Sequence, residues 1–163
     1  MTIGIPTLYP YFLYHVTVQP EDIDEMGHAN NVCYVRWMQD AATAHSTANG
    51  WSTERYFQYG MAWVARRHTI EYLQPAYPGD ELIIRTGVAD FKTVRSTRRY
   101  QFFRKSDGQL LAKAETLWAF VSIETHKPIK IHPEVAACFV VCDLASLPDN
   151  PLVSAECKVQ NAK

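Results

Sequence analysis

The hydrophobic pattern changes period along the chain, and the changes mark its elements. Residues 13–18 are apolar and β-branched and close on Gln19-Pro20, which predicts a first strand. From Asn31 the period becomes helical. Tyr34, Met38, Ala41, His45 and Ala48 recur at spacings of three and four and share one face, which predicts a helix over 31–48. Ala41, Ala42, Ala44 and Ala48 keep that helix thin, so a sheet can approach it closely, and Asn49-Gly50 supplies its stop. Residues 51–61 form an aromatic-rich connection. After it the pattern alternates over 62–74, 81–91, 94–105 and 110–123, with β-branched and aromatic content throughout. The breaks between these segments are Pro75-Ala76-Tyr77-Pro78-Gly79-Asp80, Lys92-Thr93 and Ser106-Asp107-Gly108-Gln109, turn signals of the kind that join antiparallel strands. Lys127-Pro128 ends the last strand, and 132–142 predicts a short helix.

One strand, one long helix and then four strands in succession imply an α+β fold, an antiparallel sheet wrapped around one central helix. The 163 residues read as one domain, 1–163, with a core over about 12–142 and a polar tail, 145–163, expected to be loose. Long strands with open edges also predict self-association as a dimer or tetramer.

Composition narrows the function classes. With 47% hydrophobic and 20% charged residues the chain is an ordinary globular sequence, and a net charge of −1 gives it no general attraction to nucleic acid or to a membrane surface. No apolar run reaches a membrane span, and residues 1–14 lack the marks of a secretory leader, so a cytoplasmic location is expected. Cys33, Cys138, Cys142 and Cys157 form no CxxC pair and read as free thiols.

Candidate chemistry concentrates in Asp22-Ile23-Asp24-Glu25-Met26-Gly27-His28-Ala29-Asn30-Asn31, immediately ahead of the helix. A helix N-terminus offers unpaired N–H groups and partial positive charge, and a carboxylate beside it can act as base or nucleophile while those groups hold an oxyanion. Asp22 and Asp24 also suit turns and caps, and Asp22 is read as structural. A calcium loop fails because Met26 and Cys33 occupy positions that need oxygen ligands. Asp24 and His28 lack a third ligand, so no metal is expected.

The same stretch, continued through Val32-Cys33-Tyr34, resembles the D-x-D-x-x-G-H-x-N-N-x-x-Y signature of hotdog-fold thioesterases, in the 4-hydroxybenzoyl-CoA and acyl-CoA thioesterase branch. Ile70-Glu71-Tyr72-Leu73-Gln74-Pro75-Ala76, Gly79-Asp80, and Lys127-Pro128 ahead of Ile131-His132-Pro133 extend the likeness over about 12–135. The resemblance implies a five-stranded antiparallel sheet around a central helix, and oligomers with active sites between subunits. It implies hydrolysis of an acyl-CoA or acyl-carrier-protein thioester, with coenzyme A present only as part of the substrate and no cofactor. By the same resemblance Asp24 is the catalytic carboxylate and the N–H near Asn31 the oxyanion donor. His28 matches a histidine of some branches, with a catalytic or a structural role, and Tyr34 falls with the substrate contacts. A thiolate leaving group, with a conjugate-acid pKa of about 8.5 if it behaves like cysteine, departs without a strong general acid.

Between Arg85 and Lys105 lie seven basic residues and one acid. The stretch is a solvated face or a dock for coenzyme A phosphates, and Lys92 and Arg95, at the strand connection, are the candidates for contact. Arg98 and Arg99 point to opposite faces of a regular strand. Trp51, Tyr56, Phe57, Tyr59 and Trp63 read as core or as the wall of an acyl pocket. Rival readings are a non-catalytic acyl-CoA-binding module and a hydratase on the same fold, for which no acid–base pair is found.

Overall fold

The computed structural model describes residues 10–149 and 151. Residues 1–9, Cys157 and most of the expected loose tail lie outside that range. Strand β1 (Phe12–Thr17) leads through a 3-10 turn (Pro20–Asp22) into helix α1 (Asn31–Ala48). A short helix α2 (Thr53–Gln58) precedes strands β2 (Met61–Tyr72), β3 (Glu81–Phe91), β4 (Arg95–Arg104) and β5 (Leu110–Ser122), and helix α3 (Pro133–Ala137) follows. The five strands form one sheet in the order β1-β3-β4-β5-β2, every neighbouring pair antiparallel. The α+β architecture read from the pattern is the one found.

Two expectations change. The aromatic connection holds α2, because the Ser52 hydroxyl caps it by accepting the Arg55 N–H at 3.2 Å. The helix expected over 132–142 stops at Ala137, and the chain beyond crosses the sheet, where the Cys142 N–H reaches the Val88 carbonyl at 2.9 Å. Leu144, on a second 3-10 turn (Leu144–Ser146), is buried there, and a side chain at Gly87 would meet its Cδ2 at 3.4 Å and the Pro10 carbonyl at 3.2 Å.

Helix α1 buries Tyr34, Trp37, Met38, Ala41 and His45 as a stripe. The sheet answers with Leu82 and Ile84 of β3, Tyr100 and Phe102 of β4, and Ala112 and Ala114 of β5. Alanine on both surfaces lets helix and sheet meet closely. Register shifts at Ala65/Arg67, Val88/Asp90 and Phe102/Phe103 bend the strands, as bulges do, so the sheet curls around the helix. A second cluster of Trp51, Tyr56, Met61, Phe120, Ile131 and Val135 closes the far end of the helix with α2 and α3. Strand β2 is an edge of twelve residues, long enough to pair with another strand.

Candidate active site

The acidic loop is a tight turn built around Asp24. The Asp24 N–H donates to the His28 carbonyl at 2.9 Å and the Gly27 N–H returns to the Asp24 carbonyl at 3.0 Å. Gly27 sits at φ 79°, where a side chain would be strained although nothing lies within 4 Å of it. Ile23 and Ala29 bridge across the base of the turn, and the Ala29 N–H is pinned to the Ala76 carbonyl at 2.8 Å. Within the turn, Asp24 Oδ1 accepts the Met26 N–H at 2.9 Å and, more weakly, the His28 N–H at 3.4 Å. Oδ2 accepts from no described residue. One oxygen is held and the other is unbonded among the described residues.

Asp22 does different work. It is 4% exposed, and Oδ2 accepts the Gln19 N–H at 2.9 Å while Oδ1 pairs with Arg36 Nη2 at 2.7 Å. The Cys33 thiol leans on Oδ1 at 3.6 Å, and the Asp22 carbonyl takes the Asn30 N–H at 2.7 Å. Burial pushes this carboxyl's pKa up, but the Gln19 bond and the Arg36 guanidinium outweigh it and hold it below the ordinary value. Asp22 therefore staples the loop to α1.

Asn30 caps α1. Its side chain accepts the Val32 N–H at 3.0 Å and its carbonyl accepts the Cys33 N–H at 2.9 Å. The Asn31 N–H has no acceptor among the described residues and carries the positive end of an eighteen-residue helix. Tyr72, at the end of β2, donates to the Asn31 carbonyl at 3.3 Å and so anchors that edge beside the helix start.

A family profile for the thioesterase-like superfamily matches residues 18–139, from the end of β1 through the residues that follow α3. The chain belongs to that superfamily. Its sheet and helix are the hotdog fold, and solved structures agree. A 1,4-dihydroxy-2-naphthoyl-CoA thioesterase from Synechocystis superposes with a TM-score of 0.73 at 20% identity, over 83% of this chain and 98% of that one. A DHNA-CoA thioesterase from Staphylococcus aureus gives 0.74 at 19%, over 78% and 87%. A hypothetical protein from Staphylococcus aureus in complex with CoA gives 0.74 at 16%, over 83% and 85%. At such identities the likeness is one of fold.

In this superfamily member the other anticipated residues are dispersed. His28 contributes its backbone to the turn, and its ring stands edge-on to Tyr77 at 5.4 Å without a hydrogen bond to any described residue, Asp24 included. Tyr34 is a core residue, 2% exposed and packed against Trp37, Tyr72 and Phe102. Burial pushes its hydroxyl pKa up to about 12. In the single chain Tyr34 therefore stands among core residues. Lys92 and Arg95 are exposed on the β3–β4 turn, closed by the Lys92 N–H on the Arg95 carbonyl at 2.7 Å. They stand at the opposite end of β3 from the Pro75–Asp80 loop, on the order of 30 Å of extended chain from Asp24's neighbourhood. One chain does not bring them together.

Further residues brace the site without a mark in the sequence pattern. Arg104 donates Nε to Asp80 Oδ2 at 3.0 Å, Nη1 to Asp107 at 2.9 Å and Nη2 to the Pro75 carbonyl at 2.8 Å, which fixes the loop that holds Ala29. The sequence pattern also leaves open which arginines of the basic stretch turn inward. Arg85 does, 1% exposed on β3, and so does Arg98, in step with Tyr100 and Phe102 and 5% exposed. Arg98 Nη1 donates to His45 Nδ1 at 2.9 Å and to Thr86 Oγ1 at 3.2 Å. Burial lowers its pKa, though a guanidinium keeps its charge.

Arg98 lines a cavity of about 280 Å³ with Trp51, Tyr56, Phe57, Trp63, Phe91, Trp118 and Phe139 around it. Tyr56 Oη accepts the Trp63 indole N–H at 3.1 Å and lies 3.2 Å from Ser46 Oγ, so the wall is held in place. Four of the five aromatics singled out from the sequence line it. Tyr59 instead packs on Trp51 and His132. The helix side of the cavity is Ala42, Thr43 and Ser46, about 20 Å along α1 from Asn31.

Proposed function

We propose that this protein hydrolyses acyl-CoA thioesters, with Asp24 as the catalytic carboxylate and the Asn31 N–H as the oxyanion donor. The observation that carries the reading is the pairing of a half-engaged carboxylate, Oδ2 open, with a helix start whose first N–H is open too. Water activated by Asp24, or Asp24 itself, attacks the thioester carbonyl. The Asn31 N–H takes the oxyanion and the thiolate leaves. Membership of the thioesterase-like superfamily supports thioester chemistry. The naphthoyl-CoA thioesterases and the CoA complex of the same fold support coenzyme A as the carrier.

The working unit in this reading is a homodimer paired through β2. Two β2 edges running antiparallel about a two-fold axis set the Tyr72 end of one chain against the Met61 end of the other. Tyr72 is bonded to Asn31, while Ala62 and Trp63 line the aromatic cavity. Such pairing joins the Asp24 loop of one subunit to the cavity of its partner and closes the 20 Å gap within each chain. It also brings the partner subunit's Lys92 and Arg95 to the same end, where they can meet the phosphates of coenzyme A.

The test is thiol release from a panel of short, long and aromatic acyl-CoAs by the purified protein. Turnover on the aromatic or short members is expected. Tight binding with no thiol released from any CoA or carrier-protein thioester would make the chain a binding module and contradict the proposal.

A further inference from the structure

Arg85 and Arg98 are the two buried arginines, and of these Arg98 is the one that lines the aromatic cavity, where the hydrolytic chemistry leaves it unused. The half-buried Arg104 pairs with Asp80 and Asp107, and even the exposed Arg36 has its acid, Asp22. Arg98 is more deeply buried than either, yet no carboxylate of the described residues pairs with it. Its neighbours are a histidine nitrogen, a hydroxyl and the face of Phe139, 5.8 Å from the guanidinium carbon. None of these carries a compensating negative charge. Desolvating a cation without an anion is costly, and a buried arginine ordinarily comes with its acid. Here Nε and Nη2 bond to no described residue, and the side chain lines the aromatic cavity.

We infer that the cavity takes an acyl group ending in a carboxylate, with Arg98 as the residue that selects it. The inference rests on the thioesterase reading for its substrate and names the acyl class within it. A guanidinium offers parallel donors that match the two oxygens of a carboxylate, a geometry that a neutral acyl tail does not use. The cavity, at about 280 Å³, is roughly twice a 150 Å³ void known to hold benzene. That is room for one substituted ring or a short chain, and too little for a long fatty acyl group. Trp63 and Phe91 supply flat walls for either shape. Arg98 also argues against a quaternary ammonium, which the aromatic wall alone would welcome.

The test pairs substrates that differ in charge and little in shape. 4-Carboxybenzoyl-CoA is compared with 4-carbamoylbenzoyl-CoA, adipoyl-CoA with its terminal amide, and a trimethylammonio-butanoyl-CoA serves as the cationic member. The first pair reads a ring and the second a chain. In wild type the carboxylate member of at least one pair should exceed its amide by about tenfold or more in kcat/KM. Arg98→Gln should bring that ratio to within about twofold, and Arg98→Lys should restore part of it. Independently of hydrolysis, benzoate should raise the melting temperature of wild type, benzamide should not, and Arg98→Gln should abolish the difference. If no thioester turns over, the thioesterase reading fails and the benzoate comparison alone decides the role of Arg98. If Arg98→Gln does not fold, the wild-type ratios decide it. A preference for the amide or the ammonium member, or a carboxylate preference that survives Arg98→Gln, overturns the inference.

Discussion

Asp24→Asn should lower kcat on the best acyl-CoA by roughly 10²- to 10⁴-fold, the range a positioned acid–base or nucleophilic group contributes. Asparagine is the informative choice because its side-chain oxygen can still accept the Met26 N–H that Asp24 Oδ1 accepts at 2.9 Å. The turn is then preserved, and what is lost is the charge and basicity of the carboxylate. The melting temperature should stay near that of wild type and KM should move little, because the proposed acyl and coenzyme contacts do not include Asp24. Asp24→Ala makes a control: it removes the turn bond as well, at a further cost of about 1 kcal/mol. Thiol release by stopped assay at saturating substrate separates the effects. Activity that survives in Asp24→Asn would assign the chemistry to another residue of the same fold.

Asp22→Ala should do the opposite, costing stability first and activity only through it. The substitution strips a buried carboxylate from the Gln19 N–H and from Arg36, and leaves a donor beside α1 without its acceptor. Arg36 is 56% exposed and can turn to water, so the loss should be about 2 kcal/mol, less than for a fully buried pair. Acid should reproduce it. Because the folded pKa of Asp22 is depressed, its stabilising contribution is complete above the ordinary aspartate value of about 3.9 and disappears as pH falls through the lower folded value. Urea melts from pH 7 downward should therefore show wild type and Asp22→Asn converging in strong acid. A constant gap between them at every pH would mean that the carboxylate's charge plays no part.

The fold was written in the chain's periodicities. Helix α1 begins and ends where the pattern of apolar positions and the Asn49-Gly50 stop put it, and the strands fall within a residue or two of their alternating segments. What periodicity leaves undecided is anything that depends on which strand lies beside which. Lys92 and Arg95 are near Asp24 in no sense that a single chain's topology allows, because β3 carries them to the other end of the sheet. Tyr34 closes a motif that resembles substrate-handling residues and also lies on the helical stripe, which buries it. Arg98 could have been found by parity, since Ser96, Arg98, Tyr100 and Phe102 occupy alternate positions of one strand and the last two are core. A run of seven basic residues hid it among charges that mostly face water. Its distance from Asp24 was invisible for the same reason as that of Lys92, and only the free β2 edge suggests how the two parts of a site are joined.

Subunit complementation tests that junction. Thr43→Trp plugs the cavity from an exposed helix position, and Asp24→Asn removes the carboxylate, so each homodimer should be nearly inactive. A heterodimer of the two, isolated through two different tags, holds one site with both defects and one site with neither. If Asp24 of one chain serves the cavity of its partner, that heterodimer should show about half of wild-type activity on acyl-CoA. A heterodimer no more active than its parents would place Asp24 and the cavity of the same chain in one site and contradict a site shared between subunits.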